Sequence, residues 1–174
     1  MTLFVILEGQ EGCGKSFIGK KLNDYFNDKG YVSTFFDESS IIKSCMNGDT
    51  IGVYDIYGVR EQEYMNLKHT HDIIFIEKSF ITNVVYHLPR AMEYLIDEFI
   101  ENELQHYSLY GDSCQIYTLF RDYENEIVDI FLGVSHYLLE TYEIDINCLP
   151  NSQDDKTENL LNHIIQRIEW ELES

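Results

Sequence analysis

Eight residues constrain this chain more than any others: Gly9-Gln10-Glu11-Gly12-Cys13-Gly14-Lys15-Ser16. They satisfy the pattern GxxxxGK[ST], and they stand in the context that pattern requires. Residues 2–7 before them form a short apolar run closed by glycine, which predicts a buried strand. Residues 16–29 after them space Phe17, Ile18, Leu22, Tyr25 and Phe26 at helical intervals, and Gly30 supplies a stop. A glycine-rich turn between a strand and a helix curls several backbone N–H groups inward. The partial positive charge of the helix N-terminus and the full charge of Lys15 then make a cradle for phosphate. Gly9, Gln10, Glu11, Gly12, Cys13, Gly14, Lys15 and Ser16 are therefore the expected nucleotide-phosphate contacts, and the Ser16 hydroxyl is placed to ligate Mg²⁺.

The rest of the chain continues the alternation. Strands are predicted at 31–36, 72–76, 115–120 and 143–146. Helices are predicted at 60–68, within 82–107 with a break at Pro89, at 126–142 and at 154–172, and residues 47–58 read as loop plus helix start. The last helix carries Leu160, Leu161, Ile164, Ile165 and Ile168 on one face. Short apolar strands flanked by helices predict a three-layer α/β fold, a mostly parallel sheet with helices on both faces. A length of 174 residues predicts a single domain, 1–174.

Such sheets bind ligands beyond the carboxyl ends of their strands, so polar residues at those ends are the candidates. Glu38 follows the second strand and is a candidate to bind or deprotonate an acceptor hydroxyl, or else a solvated loop acid. Glu77 ends the third strand, where a carboxylate can hold a Mg²⁺ shell. Lys78 and Arg60 are candidate phosphate-binding cations, or partners of the abundant acids. Arg121 follows the fourth strand. It is a candidate to stabilise charge on a transferred phosphoryl group, or else a surface partner of Asp122 or Glu124. Tyr54, Tyr57 and Tyr86 can stack on a base or fill the core. Cys13 lies beside Lys15 and a helix N-terminus, which predicts a lowered thiol pKa.

Charge excludes two partner classes. The chain has 31 acidic against 12 basic side chains and a formal charge of −19, which repels nucleic-acid backbones and anionic membranes. No apolar run approaches the roughly 20 residues that span a bilayer. The N-terminus lacks the basic flank of a signal peptide. Cys13, Cys45, Cys114 and Cys148 form no CxxC pair, so free thiols and a cytoplasmic setting are expected.

The segment from Leu7 to Ser16 resembles the EGxEGxGK[ST] opening of thymidylate kinases, which share one P-loop kinase fold with the deoxynucleoside kinases. The likeness continues at intervals. Asp37-Glu38-Ser39 stands at that family's Arg-Glu-Pro, and Arg60 at its substrate-helix arginine. Glu77-Lys78-Ser79 with Val85-Tyr86 stands at its Asp-Arg-Tyr and later Ala-Tyr. Arg121 to Tyr137 resembles the helix after the lid, and Ile144 to Asn147 the last strand with its adenine-side loop.

The resemblance implies ATP- and Mg²⁺-dependent phosphoryl transfer to a deoxynucleoside monophosphate, dTMP first. Lys15, Glu38 and Arg121 would be catalytic. Glu11, Glu38, Tyr57, Arg60, Lys78 and Tyr86 would bind the acceptor, and Ser16 and Glu77 the metal. It also implies a possible homodimer. The departures are specific: Asp37 replaces an arginine, Lys78 replaces another, and the arginine-bearing lid is nearly absent. An acid at 37 opposes an acceptor phosphate, and lysine loses the bidentate fork of arginine. A deoxynucleoside kinase, with Glu38 as base on the 5′-hydroxyl, is the alternative enzyme. A catalytically weak nucleotide-binding regulator is the third reading.

Overall fold

The first strand, β1 (Leu3–Gly9), is buried along its whole length. Alternation sends its side chains to two faces. Leu3, Val5 and Leu7 join one apolar cluster, and Phe4 and Ile6 join another. A strand of this kind belongs at the middle of a sheet covered on both sides. In the computed structural model β1 occupies that position. The structure describes residues 1–37, 62–87, 96–111, 113–121, 125–151 and 156–174. Glu38, Cys45, Tyr54, Tyr57, Arg60, Pro89, Asp122 and Glu124, and the loop expected at 47–58, lie outside the described residues.

Following β1 come α1 (Lys15–Asp28), β2 (Ser33–Phe36), β3 (Ile73–Glu77), α2 (Phe80–His87), α3 (Ile96–Tyr107) and a 3₁₀ turn (Ser108–Tyr110). Then come β4 (Cys114–Phe120), α4 (Glu126–Tyr142), β5 (Ile146–Pro150) and α5 (Lys156–Glu173). Residues 62–67 are also helical. The sheet has the order β2-β3-β1-β4-β5 and every pairing is parallel. One core cluster joins β1 and β3 to α1 and α5, through Ile18, Leu22 and Phe26 and through Leu160, Ile164 and Ile168. The other joins Phe4, Ile6, Ile74 and Ile76 to α2, α3 and α4. The three-layer expectation is met.

Parallel pairing brings all five strand ends to one edge. The register sets Leu7 beside Glu77, Gly9 beside Leu119, Phe36 beside Ile76 and Phe120 beside Pro150. Gln10, Asp37, Lys78, Arg121 and Asn151 each follow directly on a strand at that edge. The chain leaves β1 toward β2 on one side, while β4 lies on the other, so the edge opens at a switch point.

One strand differs from expectation. The last strand is not 143–146 but Ile146–Pro150. Glu143 closes α4 in the left-handed region at φ 57, and its N–H bonds Leu139 O at 3.1 Å. The helix end consumes those residues, and the β4 register begins at Ile146. Among the described residues no helix is long and apolar enough to cross a membrane.

Candidate functional site

The glycine loop joins the end of β1 to the start of α1, and its shape depends on close approach. Gly9 has φ 128, and a Cβ there would lie 1.9 Å from Leu119 O. Gly14 has φ 94, and a Cβ there would lie 2.5 Å from Asn151 Nδ2. Only glycine fits either place. The Lys15 side chain is buried and curls back inside the loop. Its Nζ donates to Gly9 O at 2.8 Å and Gln10 O at 2.7 Å, and lies 3.7 Å from Cys13 Sγ.

Ser16 and Glu77 meet across the cleft. The hydroxyl donates to Glu77 Oε1 at 2.7 Å. The next residue, Lys78, has φ 62, a conformation uncommon outside glycine. Its N–H bonds Leu7 O at 3.0 Å. Its Nζ reaches Glu11 Oε1 at 2.5 Å, and that contact holds the Glu11 carboxyl below the usual range. Glu11 and Lys78, expected as separate acceptor contacts, are thus a pair. These groups line a cleft of about 370 Å³ together with Lys20, Phe17 and Asp37. Among the described residues three lysines (Lys15, Lys20, Lys78) line the cleft with three carboxylates (Glu11, Asp37, Glu77), so their charges balance in a chain of charge −19.

Arg121 sits on the other side of the loop. Its Nε donates to Asn151 O at 3.1 Å, and its Nη2 is 3.6 Å from the Cβ position of Gly14. Gln10 Nε2 donates to Arg121 O at 2.6 Å. Tyr86 does not line the cleft; its ring lies 6.1 Å from that of Phe131, on the α4 side of the sheet. Cys13 corrects an expectation. Its thiol is fully buried, and that burial raises its pKa against the opposing pull of Lys15 and Arg121.

Three residues of the site were not singled out from sequence. Lys20 and Phe17 lie on α1 and line the cleft. Glu8 is fully buried at the end of β1, on the face shared by Phe4 and Ile6. It accepts from Ser79 N at 2.9 Å, Ile81 N at 3.2 Å, Thr82 N at 3.1 Å and the Thr82 hydroxyl. Burial raises its pKa, and the donors of Thr82, Ile81 and Ser79 oppose that. Glu8 therefore caps α2 and fixes the turn that carries Glu77 and Lys78. The signal available in sequence was strand alternation, which points residue 8 into the core.

No protein-family profile matches the chain, and no curated protein sequence matches it. Solved structures do. Thymidylate kinase from Ehrlichia chaffeensis superposes with a TM-score of 0.62 at 13% identity, covering 96% of this chain and 98% of that one. Thymidylate kinase from Candida albicans gives 0.60 at 13% identity, covering 98% and 93%. The YorR protein of Bacillus subtilis, solved in complex with phosphorylated GDP, gives 0.53 at 17% identity, covering 98% of both chains. The chain has the P-loop kinase fold. In this P-loop kinase fold, Gly9 to Ser16 form the loop after the first strand, and Glu77 and Lys78 end the neighbouring one.

Proposed function

We propose that this chain is a nucleotide kinase that transfers a phosphoryl group from ATP to a deoxynucleoside monophosphate, with dTMP as the expected acceptor. The observation that carries the reading is the meeting of Lys15, the Ser16–Glu77 pair and Lys78 in one cleft. Phosphoryl transfer asks a protein mainly for positioning and charge neutralisation. Lys15 and the loop N–H groups hold the β and γ phosphates. Ser16 and Glu77 offer hard oxygen donors, the chemistry that Mg²⁺ takes. When bound, that ion neutralises charge on the phosphate oxygens. Lys78, with Lys20 beside it, attracts the acceptor phosphate, and Glu11 orients Lys78. Arg121, close to Gly14, stabilises charge on the group in transfer. Glu38 and Arg60 complete the acceptor side in this reading.

A second reading rests on Asp37. It lines the cleft where thymidylate kinases carry an arginine, and a carboxylate there favours an uncharged acceptor. A deoxynucleoside kinase would suit that residue. ADP release measured with ATP and Mg²⁺ against a panel of nucleosides and monophosphates separates the readings. Turnover with dTMP and not thymidine is expected. Turnover with thymidine alone selects the nucleoside kinase. ATP binding with no acceptor consumed selects a regulator.

A further inference from the structure

We propose that Asn151 is a positioning residue of the phosphate cradle, tying the end of β5 to the glycine loop and to Arg121 at once. The inference rests on the nucleotide-kinase reading and adds to it a residue outside the loop motif.

Asn151 is the first residue after β5 and is 1% exposed. It makes four hydrogen bonds, to Phe120 at the end of β4, to Arg121, to the glycine loop and to α5. Its main-chain N–H donates to Phe120 O at 2.8 Å, continuing the β4–β5 pairing past Pro150. Its main-chain carbonyl accepts from Arg121 Nε at 3.1 Å. Its side-chain Nδ2 donates to Cys13 O at 2.6 Å. Its Oδ1 accepts from the Thr157 hydroxyl at 3.1 Å, in the first turn of α5. The amide orientation follows from chemistry, because a backbone carbonyl can only accept and the NH₂ end must face it.

The contact to Cys13 matters for the loop. Cys13 stands between Gly12 (φ 76) and Gly14 (φ 94), two residues in left-handed conformations. Such a curl needs its carbonyls satisfied if its N–H groups are to stay directed inward. Asn151 satisfies one from outside, in a place where a Cβ on Gly14 would collide with it. The same residue aims Arg121, whose Nη2 lies beside Gly14. Gln10 closes the arrangement by donating to the Arg121 carbonyl. Loop shape and arginine placement are therefore set by one side chain and its own backbone. Asparagine supplies a donor at one end and an acceptor at the other, which neither aspartate nor alanine does.

The test uses the whole chain with Asn151→Ala, Asn151→Ser and, as control, Thr157→Val. Affinity for ATP–Mg²⁺ is read by titration calorimetry, the KM values for ATP and dTMP by ADP release, and folding by thermal melting. Expected is an ATP Kd and KM raised about tenfold in both Asn151 variants, the cost of one buried hydrogen bond to the loop. The dTMP KM stays within about twofold, and Thr157→Val, which keeps the Cys13 and Arg121 contacts, raises the ATP constants by less than either Asn151 variant. The proposal is overturned by a folded Asn151→Ala protein that binds ATP as the parent does. It is overturned equally if Thr157→Val weakens ATP as much, if the ATP and dTMP constants rise together, or if both Asn151 variants unfold at the assay temperature. A parent chain that binds no ATP overturns the kinase reading and this inference with it. A parent that binds ATP beside variants that bind equally well overturns only the inference.

Discussion

Lys15 and Cys13 share the loop and have opposite fates. The Lys15 ammonium is held within the curl by two carbonyls, at the place where phosphate oxygens are cradled in the proposed reaction. Lys15→Ala removes that charge without touching the sheet. Turnover should fall by about 100-fold or more, the scale of losing a preorganised charge contact, while the far-UV circular dichroism stays unchanged. A folded variant with full turnover would remove Lys15 from the mechanism. For Cys13 the burial that raises its pKa also blocks reagents. The reactive species is the thiolate, so proximity to a lysine does not make this thiol reactive. Cys148 is exposed, though partial burial raises its thiol pKa against the opposing Ser135 hydroxyl, whereas burial pushes the Cys114 thiol up to about 12. Iodoacetamide at neutral pH should therefore label Cys148 well ahead of Cys13 and Cys114, as read by peptide mass spectrometry. Fast labelling of Cys13 would contradict its buried placement.

At the scale of elements, α2 starts where Glu8 receives it. The strand provides the capping carboxylate that the helix's own sequence, Lys78-Ser79-Phe80, does not. Glu8→Gln keeps the size but turns one acceptor oxygen into a donor facing Thr82 N–H. The cost of leaving buried donors unmatched is about 2–3 kcal/mol, which in a chain of this length lowers the melting temperature by about 5–10 °C. Thr82→Val removes only one of the four donors and should cost less. Equal melting of Glu8→Gln and the parent would show that the carboxylate is not the anchor of the helix. The same residue illustrates what the sequence made legible. Local patterns are strong where one physical cause dominates, so β1, the glycine loop, α1 and α4 were readable from periodicity and turn chemistry. Glu8, Lys20 and Asn151 were not, because their roles come from elements far apart in sequence. Asn151 reaches Cys13 across 138 positions. The last strand, expected at 143–146, lies at Ile146–Pro150 for a related reason: Glu143 reads as an ordinary strand-edge residue until it closes the helix in a left-handed turn.

The whole molecule presents a contrast of fields. The chain carries −19, yet among the described residues its cleft holds as many lysines as carboxylates. An approaching ATP–Mg²⁺ complex, still anionic, first meets the far field of the acids and only later the local cations. At about 0.01 M salt the screening length is roughly 30 Å, so the distant acids act in full. At about 0.15 M it is roughly 8 Å, which leaves Lys15, Lys20 and Lys78 effective at contact while the remote acids fade. Nucleotide association at saturating Mg²⁺ should therefore hold level or speed up as salt rises through this range. A site whose attraction reached beyond the cleft would behave in the opposite way, because added ions would screen the steering. Stopped-flow association of a fluorescent ATP analogue at several salt concentrations measures this directly. A steep fall in rate with salt would mean that the lysines of the cleft dominate the approach, and that the balance of three against three understates the local field.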